Sequence, residues 1–208
     1  MIEYVIKNNP DDRVLKRASA LLKKGELICL PSDTNWVLLA DPYVKGATDK
    51  LYKIKKEGIQ KHFSVFCRDI SMASEIGKIN NEAFKVLKKS IPGNYTFIFE
   101  ATKKIAKTLT ASKTDKEIGI RFVPCPMIDK LLEIHGDVLI TTQVPPEISK
   151  VSEDEELYSY MLEDTLRGVA SMIIDPGEIE FSGKSTIVSF VGETPELVRE
   201  GAGDISTL

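Results

Sequence analysis

Polar side chains follow or open several short apolar stretches of this chain. The apolar stretch 27–30 is followed directly by Ser32, Asp33 and Thr34. In open α/β sheets, ligands collect where strands end, because the loops there present backbone N–H groups and hydroxyls. Other residues expected at such positions are Arg121, Thr142, Ser185 and Arg199. Hydroxyl and guanidinium groups suit an anion, so the sequence predicts an anion-binding recess; the alternative is a set of ordinary turns and caps.

Common catalytic signatures do not occur in the sequence. It contains no GxxxxGK[ST] phosphate loop, no GxGxxG fingerprint, no GxSxG motif and no histidine pair at metal-binding spacing. Of the two histidines, His62 precedes a predicted strand and could contribute to binding, whereas His135 is expected at a helix end. Cys29, Cys67 and Cys125 lie far apart beside apolar residues, so we expect reduced core cysteines.

Charge is unevenly distributed along the chain. The net charge of the 208 residues is −3, yet residues 50–130 hold 17 Lys and Arg against 8 Asp and Glu. That segment therefore has a balance of +9 and the remainder a balance of −12. Such segregation predicts a basic surface for phosphates on an otherwise acidic protein. The alternative is that the lysines of residues 103–116 solvate one outer face.

Composition and length indicate one globular domain. With 42% hydrophobic and 28% charged residues, the chain falls outside the disordered and fibrous classes. Its 208 residues suit a single domain. No apolar run of about 18 residues and no signal-peptide pattern occurs, so we expect a cytoplasmic protein without a membrane segment.

Short apolar stretches alternate with amphipathic ones, which predicts an α/β sheet covered by helices. We expect the first helix to be capped by Asn9, the second to begin at Asp41, and a peripheral helix over the acidic residues 147–164. Antiparallel pairing is expected to complete the sheet near its end. The predicted strands are 4–6, 27–30, 63–67, 95–99, 118–123, 138–142, 172–174, 186–191 and 196–198.

Seven short motifs occur in one order over residues 12–205. They are Leu30-Pro31-Ser32-Asp33-Thr34, Ile54-Lys55-Lys56, Lys61-His62-Phe63, Pro92-Gly93-Asn94-Tyr95-Thr96, Ile118-Gly119-Ile120-Arg121, Ser185-Thr186-Ile187-Val188 and Val198-Arg199-Glu200-Gly201. Each is weak by itself. In this order they resemble the YrdC/YciO family, which contains the threonylcarbamoyl-AMP synthases.

The resemblance implies that residues 1–208 form one domain, a twisted, open mixed α/β sheet with helices on both faces and a concave basic cavity. Synthases of this family condense threonine, bicarbonate and ATP to threonylcarbamoyl-AMP, which a partner uses to modify tRNA. ATP with Mg²⁺ would then be a substrate, and no permanently bound cofactor is expected. Such chemistry requires a held triphosphate and stabilised charge more than a covalent side-chain catalyst.

By the same resemblance, nine residues would bind substrate or nucleotide. Ser32 and Thr34 would line the pocket, and Arg121 would bind a carboxylate such as that of threonine through its guanidinium fork. The residues expected to face phosphates are Lys55, Lys61 and His62. Those expected to hold the nucleotide from the other side are Thr142, Ser185 and Arg199. No catalytic and no metal-binding residue is assigned.

Three departures from the synthase pattern predict weak or absent synthase activity. Glu57 replaces the arginine of a Lys-x-Arg pair, and Thr142-Gln143-Val144 replaces a Ser-x-Asn motif. Trp36 and Val37 stand where synthases have tyrosine and glycine. One lost charged hydrogen bond costs roughly 1.5–3 kcal/mol, and about 1.4 kcal/mol changes a rate tenfold.

The departures resemble the YciO branch, so we expect a protein that binds a nucleotide, double-stranded RNA or tRNA. Proteins recognise A-form RNA mainly through phosphates and shape, for which lysines suffice. One alternative is an active synthase in which Lys53 or Lys56 replaces the missing arginine. The other is a non-catalytic translation factor or ribosome-associated RNA-binding protein.

Overall fold

A ten-stranded mixed sheet organises the part of the chain described by the computed structural model, which covers residues 1–54, 63–108, 117–150, 156–192 and 194–208. The strand order is β1-β8-β2-β3-β7-β4-β6-β5-β9-β10. The strands are β1 Ile2–Tyr4, β2 Ile28–Pro31, β3 Trp36–Ala40, β4 Ser64–Phe66, β5 Tyr95–Glu100, β6 Glu117–Arg121, β7 Leu139–Gln143, β8 Met172–Asp175, β9 Thr186–Ser189 and β10 Glu196–Arg199.

Helices lie on both faces of this sheet, which confirms the predicted single-domain α/β class. They are α1 Asp12–Leu22, α2 Ala47–Ile54, α3 Ile70–Ile76, α4 Asn81–Ser90, α5 Lys103–Ala106, α6 Pro126–His135, α7 Pro146–Ser149 and α8 Ser159–Thr165. A short 3-10 turn, Ile205–Thr207, follows β10. The antiparallel β9–β10 pair confirms the pairing expected near the end of the sheet.

Two helix starts differ from the sequence prediction. The N-cap of α1 is Asp11 rather than Asn9, because the Asp11 carboxylate accepts the backbone N–H of Arg13. The second helix, α2, begins at Ala47 instead of Asp41. Asp41 accepts the backbone N–H of Tyr43 in a local turn, so its side chain is not available as a cap for α2.

Strand β3 was not predicted as a separate element. It follows the four-residue turn 32–35 and pairs antiparallel with β2, from Pro31 opposite Trp36 to Ile28 opposite Leu39. All five of its residues are buried, which gives an uninterrupted apolar run without the alternation that marks a half-exposed strand. The acidic stretch 147–164 also differs, since it contains parts of α7 and α8 rather than one helix.

Two apolar cores lie on opposite faces of the sheet. The first core joins strand residues such as Leu38, Val65 and Phe97 to helices α2, α3, α4, α5 and α8. The second core joins α1 and α6 to residues of β2, β3 and β8 and to Phe66 and Leu139. Among the described residues, this second core contains none from β5, β6, β9 or β10. Helices α1 and α6 therefore cover only one half of the second face.

The three cysteines are free thiols, as expected, with Cys29 and Cys67 buried and Cys125 partly buried. Burial raises the pKa of Cys29 far above its ordinary value. No helix within the described ranges is long and apolar enough to cross a bilayer.

Candidate functional site

The turn between β2 and β3 is held in one shape by its own hydrogen bonds. The backbone N–H and hydroxyl of Ser32 both donate to the carbonyl oxygen of Asn35, at 2.8 and 2.9 Å. The Ser32 hydroxyl also accepts the Thr34 backbone N–H at 3.2 Å. A further bond, from the backbone N–H of Ser182 to the Asp33 carbonyl at 2.8 Å, attaches the turn to the segment before β9. These bonds fix Asp33 and Thr34 over the sheet.

Arg121, on β6, contacts this turn. Its Nη2 donates to both carboxylate oxygens of Asp33, at 2.8 and 2.7 Å, and its Nη1 donates to the Thr34 hydroxyl at 3.3 Å. The side chains of Arg121 and Asp33 are only 6% and 4% exposed. Nε donates to the carbonyl of Tyr95 at 3.4 Å, and the guanidinium carbon lies 5.8 Å from the ring centre of Phe66.

Burial lowers the pKa of Arg121, the Asp33 carboxylate opposes that shift, and nearby Arg199 lowers it further. The sequence predicts that Arg121 binds a substrate carboxylate. In this structure, the carboxylate that Arg121 binds is that of Asp33. The Asp33–Arg121 ion pair has no net charge. The hydrogen bonds from Arg121 Nη1 and Nε are long, so a ligand oxygen could replace their present acceptors at a shorter distance.

Thr96, Ser185 and Arg199 form the opposite wall. The Thr96 and Ser185 hydroxyls lie 2.9 Å apart. Arg199 donates from Nε and Nη2 to the Ser185 carbonyl at 3.0 and 2.7 Å, and from Nη2 to its hydroxyl at 3.2 Å. In the antiparallel β5–β6 pair, Phe97 lies opposite Ile120. The residue before Phe97, Thr96, is therefore next to Arg121, the residue after Ile120. The two walls therefore meet at Arg121.

Five of the nine predicted binding residues belong to this connected set. They are Ser32, Thr34, Arg121, Ser185 and Arg199. Three others, Lys55, Lys61 and His62, lie outside the described residues.

Thr142 is placed apart from this set. Along β7, Ile140 packs in the first core and Leu139 in the second, and side chains alternate between the faces of a strand. Thr142 therefore shares the face of Ile140, opposite the one that carries Arg121. The sequence prediction indicated the polar end of this strand and chose Thr142, which does not lie on the face that carries Arg121.

The same alternation identifies Thr141 as the β7 residue on the Arg121 face. It lies opposite Ser64 on β4, and Ser64 lies opposite Gly119 on β6. Sequence reasoning did not select Thr141, Ser64 or Thr96 as site residues. The sequence does show that Thr141 lies two residues from Leu139 and so shares its face of the strand. To use that signal, one must also know which face of the sheet the helices cover.

We use the name polar recess for the patch formed by Ser64, Thr96, Gly119, Arg121 and Thr141, which are neighbours on one face of the sheet. A Cβ added at Gly119 would lie 3.2 Å from Cγ2 of Thr96 and 3.8 Å from the Ser64 hydroxyl, so a side chain there would be crowded against Thr96. These residues supply hydroxyl groups and one guanidinium group, and the Asp33 carboxylate and the Arg199 guanidinium lie beside them. Such a set can bind and orient an oxygen-rich anion, but its described residues include no activated nucleophile.

Comparison with known proteins supports this interpretation of the fold. Residues 20–201 match the Sua5/YciO/YrdC family model, whose description is "Telomere recombination". Among curated proteins, the uncharacterized protein YciO of Escherichia coli K12 is 31% identical over 204 residues, covering 97% of this chain and 96% of YciO. A putative threonylcarbamoyl-AMP synthase of Methanocaldococcus jannaschii is 24% identical over 205 residues, covering 99% and 94% of the two chains.

Solved structures show the same architecture. The crystal structure of E. coli YciO superposes with a TM-score of 0.87 at 30% identity, covering 100% of this chain and 98% of that one. P. abyssi Sua5 complexed with L-threonine superposes with a TM-score of 0.81 at 19% identity, covering 97% of this chain and 57% of Sua5.

Proposed function

Because the chain belongs to the Sua5/YciO/YrdC family, we propose that it is a cytoplasmic protein that binds a nucleotide, ATP or AMP, in the polar recess. One observation carries the proposal: the Ser32–Thr34 turn and the Thr96–Ser185–Arg199 wall meet at Arg121 on a single face of the sheet. Hydroxyl groups and Arg199 would bind phosphate oxygens, with Mg²⁺ arriving as part of the substrate.

Threonylcarbamoyl-AMP synthase activity is weak or absent in this proposal. Val144 stands where synthases have the asparagine of Ser-x-Asn, and its apolar side chain offers a phosphate no hydrogen bond. Trp36 donates its indole N–H to the carbonyl of Leu157 at 2.6 Å, so the ring is held away from the recess. Glu57, at the arginine position, would repel a triphosphate.

The test separates nucleotide binding from catalysis. Calorimetric titration of the purified protein with MgATP should give saturable binding, and addition of threonine and labelled bicarbonate should yield little or no threonylcarbamoyl-AMP. An authentic synthase assayed in parallel shows that the reaction mixture supports turnover. Product formation at the rate of that synthase would identify an active enzyme and overturn the proposal of weak activity, and absence of ATP binding would overturn the nucleotide site.

A second candidate function, binding of double-stranded RNA or tRNA, is favoured by the surface of α4. Lys85, Lys88 and Lys89 are exposed there, and none forms an ion pair with another described residue. Phe84 is 44% exposed, and the ammonium of Lys88 lies 5.7 Å from its ring centre. A cationic, sequence-independent surface of this kind matches how A-form RNA is bound through its phosphates.

A further inference from the structure

Residues 200–208, which follow strand β10, pack against the start of strand β9, and we call this segment the strap. The strap begins directly after Arg199, and Gly203 is its one buried residue. The fully buried Thr186 donates its hydroxyl to the Gly203 carbonyl at 2.8 Å. The same hydroxyl accepts the backbone N–H of Gly201 at 3.0 Å. Two points of the strap are therefore fixed to one side chain of β9.

Tyr95, on β5, holds the far end of the strap. It is 6% exposed, and its hydroxyl donates to the Asp204 carbonyl at 2.9 Å and lies 2.9 Å from Oγ1 of Thr207. A Cβ added at Gly203 would lie 2.4 Å from the Tyr95 ring and 2.9 Å from the backbone oxygen of Asn94. Real side chains do not approach so closely, so this contact requires glycine at position 203. The strap thus packs against β5 as well as β9.

The strap also determines where Arg199 lies. Arg199 is exposed on an edge strand, so β10 alone does little to restrict its long side chain. Its guanidinium nevertheless donates twice to the Ser185 carbonyl. The strap binds the backbone just before Ser185 too, because the Ala202 N–H donates to the Lys184 carbonyl at 2.9 Å. The backbone of Arg199 and the acceptor of its side chain are therefore held together by the strap.

We propose that the strap, anchored by Gly203 and Tyr95, is a positioning segment that holds Arg199 in place for the phosphates of the nucleotide. The inference rests on the proposed nucleotide site and adds to it residues that do not touch the ligand. If only molecules with Arg199 in place bind fully, loosening the strap lowers the apparent affinity in proportion to their fraction. Coupling of this kind is reciprocal, so bound nucleotide should keep the strap closed.

Gly203→Ala tests the strap because the added methyl group has no room beside Tyr95. In the unliganded protein, hydrogen exchange of the Gly201 and Ala202 backbone amides should become about tenfold faster. The affinity for MgATP, measured by calorimetric titration, should fall about threefold or more. In the wild type, saturating MgATP should slow the exchange of the same two amides.

Tyr95→Phe is the milder second variant, since it keeps the ring and removes only the hydroxyl that binds the strap. Exchange of the strap amides and MgATP affinity should change in the same directions as in Gly203→Ala, by about threefold. Tyr158→Phe makes the same chemical change at a tyrosine that is 45% exposed and is the matched control. It should alter neither quantity.

Gly77→Ala is the control for crowding by an added methyl group. A Cβ at Gly77 would lie 2.9 Å from the Ile120 side chain, and Gly77 pairs with Ala101, beyond the end of β5 that is distant from Tyr95. This variant should lower the melting temperature without changing strap exchange or MgATP affinity. Loss of stability by itself is thereby separated from loosening of the strap.

Arg199→Met shows whether the strap acts through Arg199. In the Arg199→Met background, Gly203→Ala should change the affinity for MgATP by less than about twofold, because the group that the strap positions is no longer present. A strap that only supports the fold would instead weaken binding by the same factor in both backgrounds. The double variant therefore distinguishes positioning from general stabilisation.

The outcomes separate the strap from the proposed function. If the wild type binds MgATP but Gly203→Ala has equal effects in both backgrounds, or MgATP leaves strap exchange unchanged, the positioning role is wrong and the nucleotide site stands. If neither Gly203→Ala nor Tyr95→Phe speeds exchange in the unliganded protein, the strap is not anchored by these residues and the inference is wrong. If the wild type does not bind MgATP, the proposed function fails and the positioning role fails with it, whereas exchange still reports the anchoring.

Discussion

Asp33 and Arg121 form a buried ion pair although two strands, β7 and β4, lie between β3 and β6 in the sheet. Three strand spacings correspond to about 14 Å in a flat sheet, more than two side chains in one plane can bridge. The turn 32–35 therefore extends over β7 and β4 and places Asp33 beside Arg121.

Removing one partner of this ion pair should destabilise the protein strongly. We expect Arg121→Ala to lower the free energy of unfolding by about 3–5 kcal/mol, because it leaves the Asp33 carboxylate buried without a counter-charge. Urea denaturation measures the change. Asp33→Asn combined with Arg121→Met should recover part of the loss, since no buried charge then remains.

The matched control is the exposed pair of Arg167 and Asp164, whose side chains are 79% and 86% exposed. Arg167→Ala should cost less than about 1 kcal/mol, as exposed ion pairs do. Equal losses for Arg121→Ala and Arg167→Ala would show that the Asp33–Arg121 pair is not buried in solution.

Arg199 should matter for ligand binding more than for folding. It is on the edge strand β10 and is exposed, while its guanidinium is held toward Ser185. We expect Arg199→Met to weaken MgATP binding about tenfold or more, because the variant loses a charge-assisted hydrogen bond. The midpoint of urea denaturation should change little. Calorimetric titration at two salt concentrations checks this. An unchanged affinity would exclude Arg199 from the phosphate site.

The buried contact between Asp41 and His135 predicts an acid-sensitive stability. His135 Nε2 lies 3.3 Å from Asp41 Oδ2, and Nδ1 lies 3.1 Å from the Ser19 hydroxyl. Burial would raise the pKa of Asp41, but hydrogen bonds from His135 and the Tyr43 backbone outweigh it and hold the pKa below the ordinary 3.8. The carboxylate therefore stabilises the fold above about pH 4, and this contribution is lost as pH falls below that value.

Asp41→Asn isolates this contribution. The variant should be less stable than the wild type at pH 7, and the difference between their free energies of unfolding should shrink as pH is lowered from about 5 to about 3. Chemical denaturation across that range measures it. A difference that stays constant down to pH 3 would contradict the depressed pKa of Asp41.

Charge reversal on α4 should weaken any binding of duplex RNA. Replacing Lys85, Lys88 and Lys89 by glutamate removes three candidate phosphate contacts, so the slope of log affinity against log salt should decrease by about 2–3. Filter binding or fluorescence anisotropy at several salt concentrations measures this slope. Replacing Lys16, Lys23 and Lys24, which are exposed on and just beyond α1, makes the same charge change elsewhere. If both triple variants behave alike, α4 is not the RNA surface.

The sequence determined the fold class because local patterns suffice for it. The acids before α1, the β-branched stretches and the polar residues at their ends identified most elements and indicated that Ser32, Thr34, Arg121, Ser185 and Arg199 could share a site. Strand β3 was not predicted, because a short apolar run that is buried on both faces cannot be distinguished from a buried helix segment by periodicity alone.

Only the tertiary structure decided which faces and which partners these residues have. That Arg121 binds Asp33, and that Thr141 rather than Thr142 lies on the same face, depends on strand order and on the half of the sheet that α1 and α6 leave uncovered. A one-residue shift along a strand moves a side chain to the other face, and the sequence carries no record of which strands become neighbours. The ion pair between Asp33 and Arg121, 88 residues apart, exists because the strand order brings the turn 32–35 close to β6.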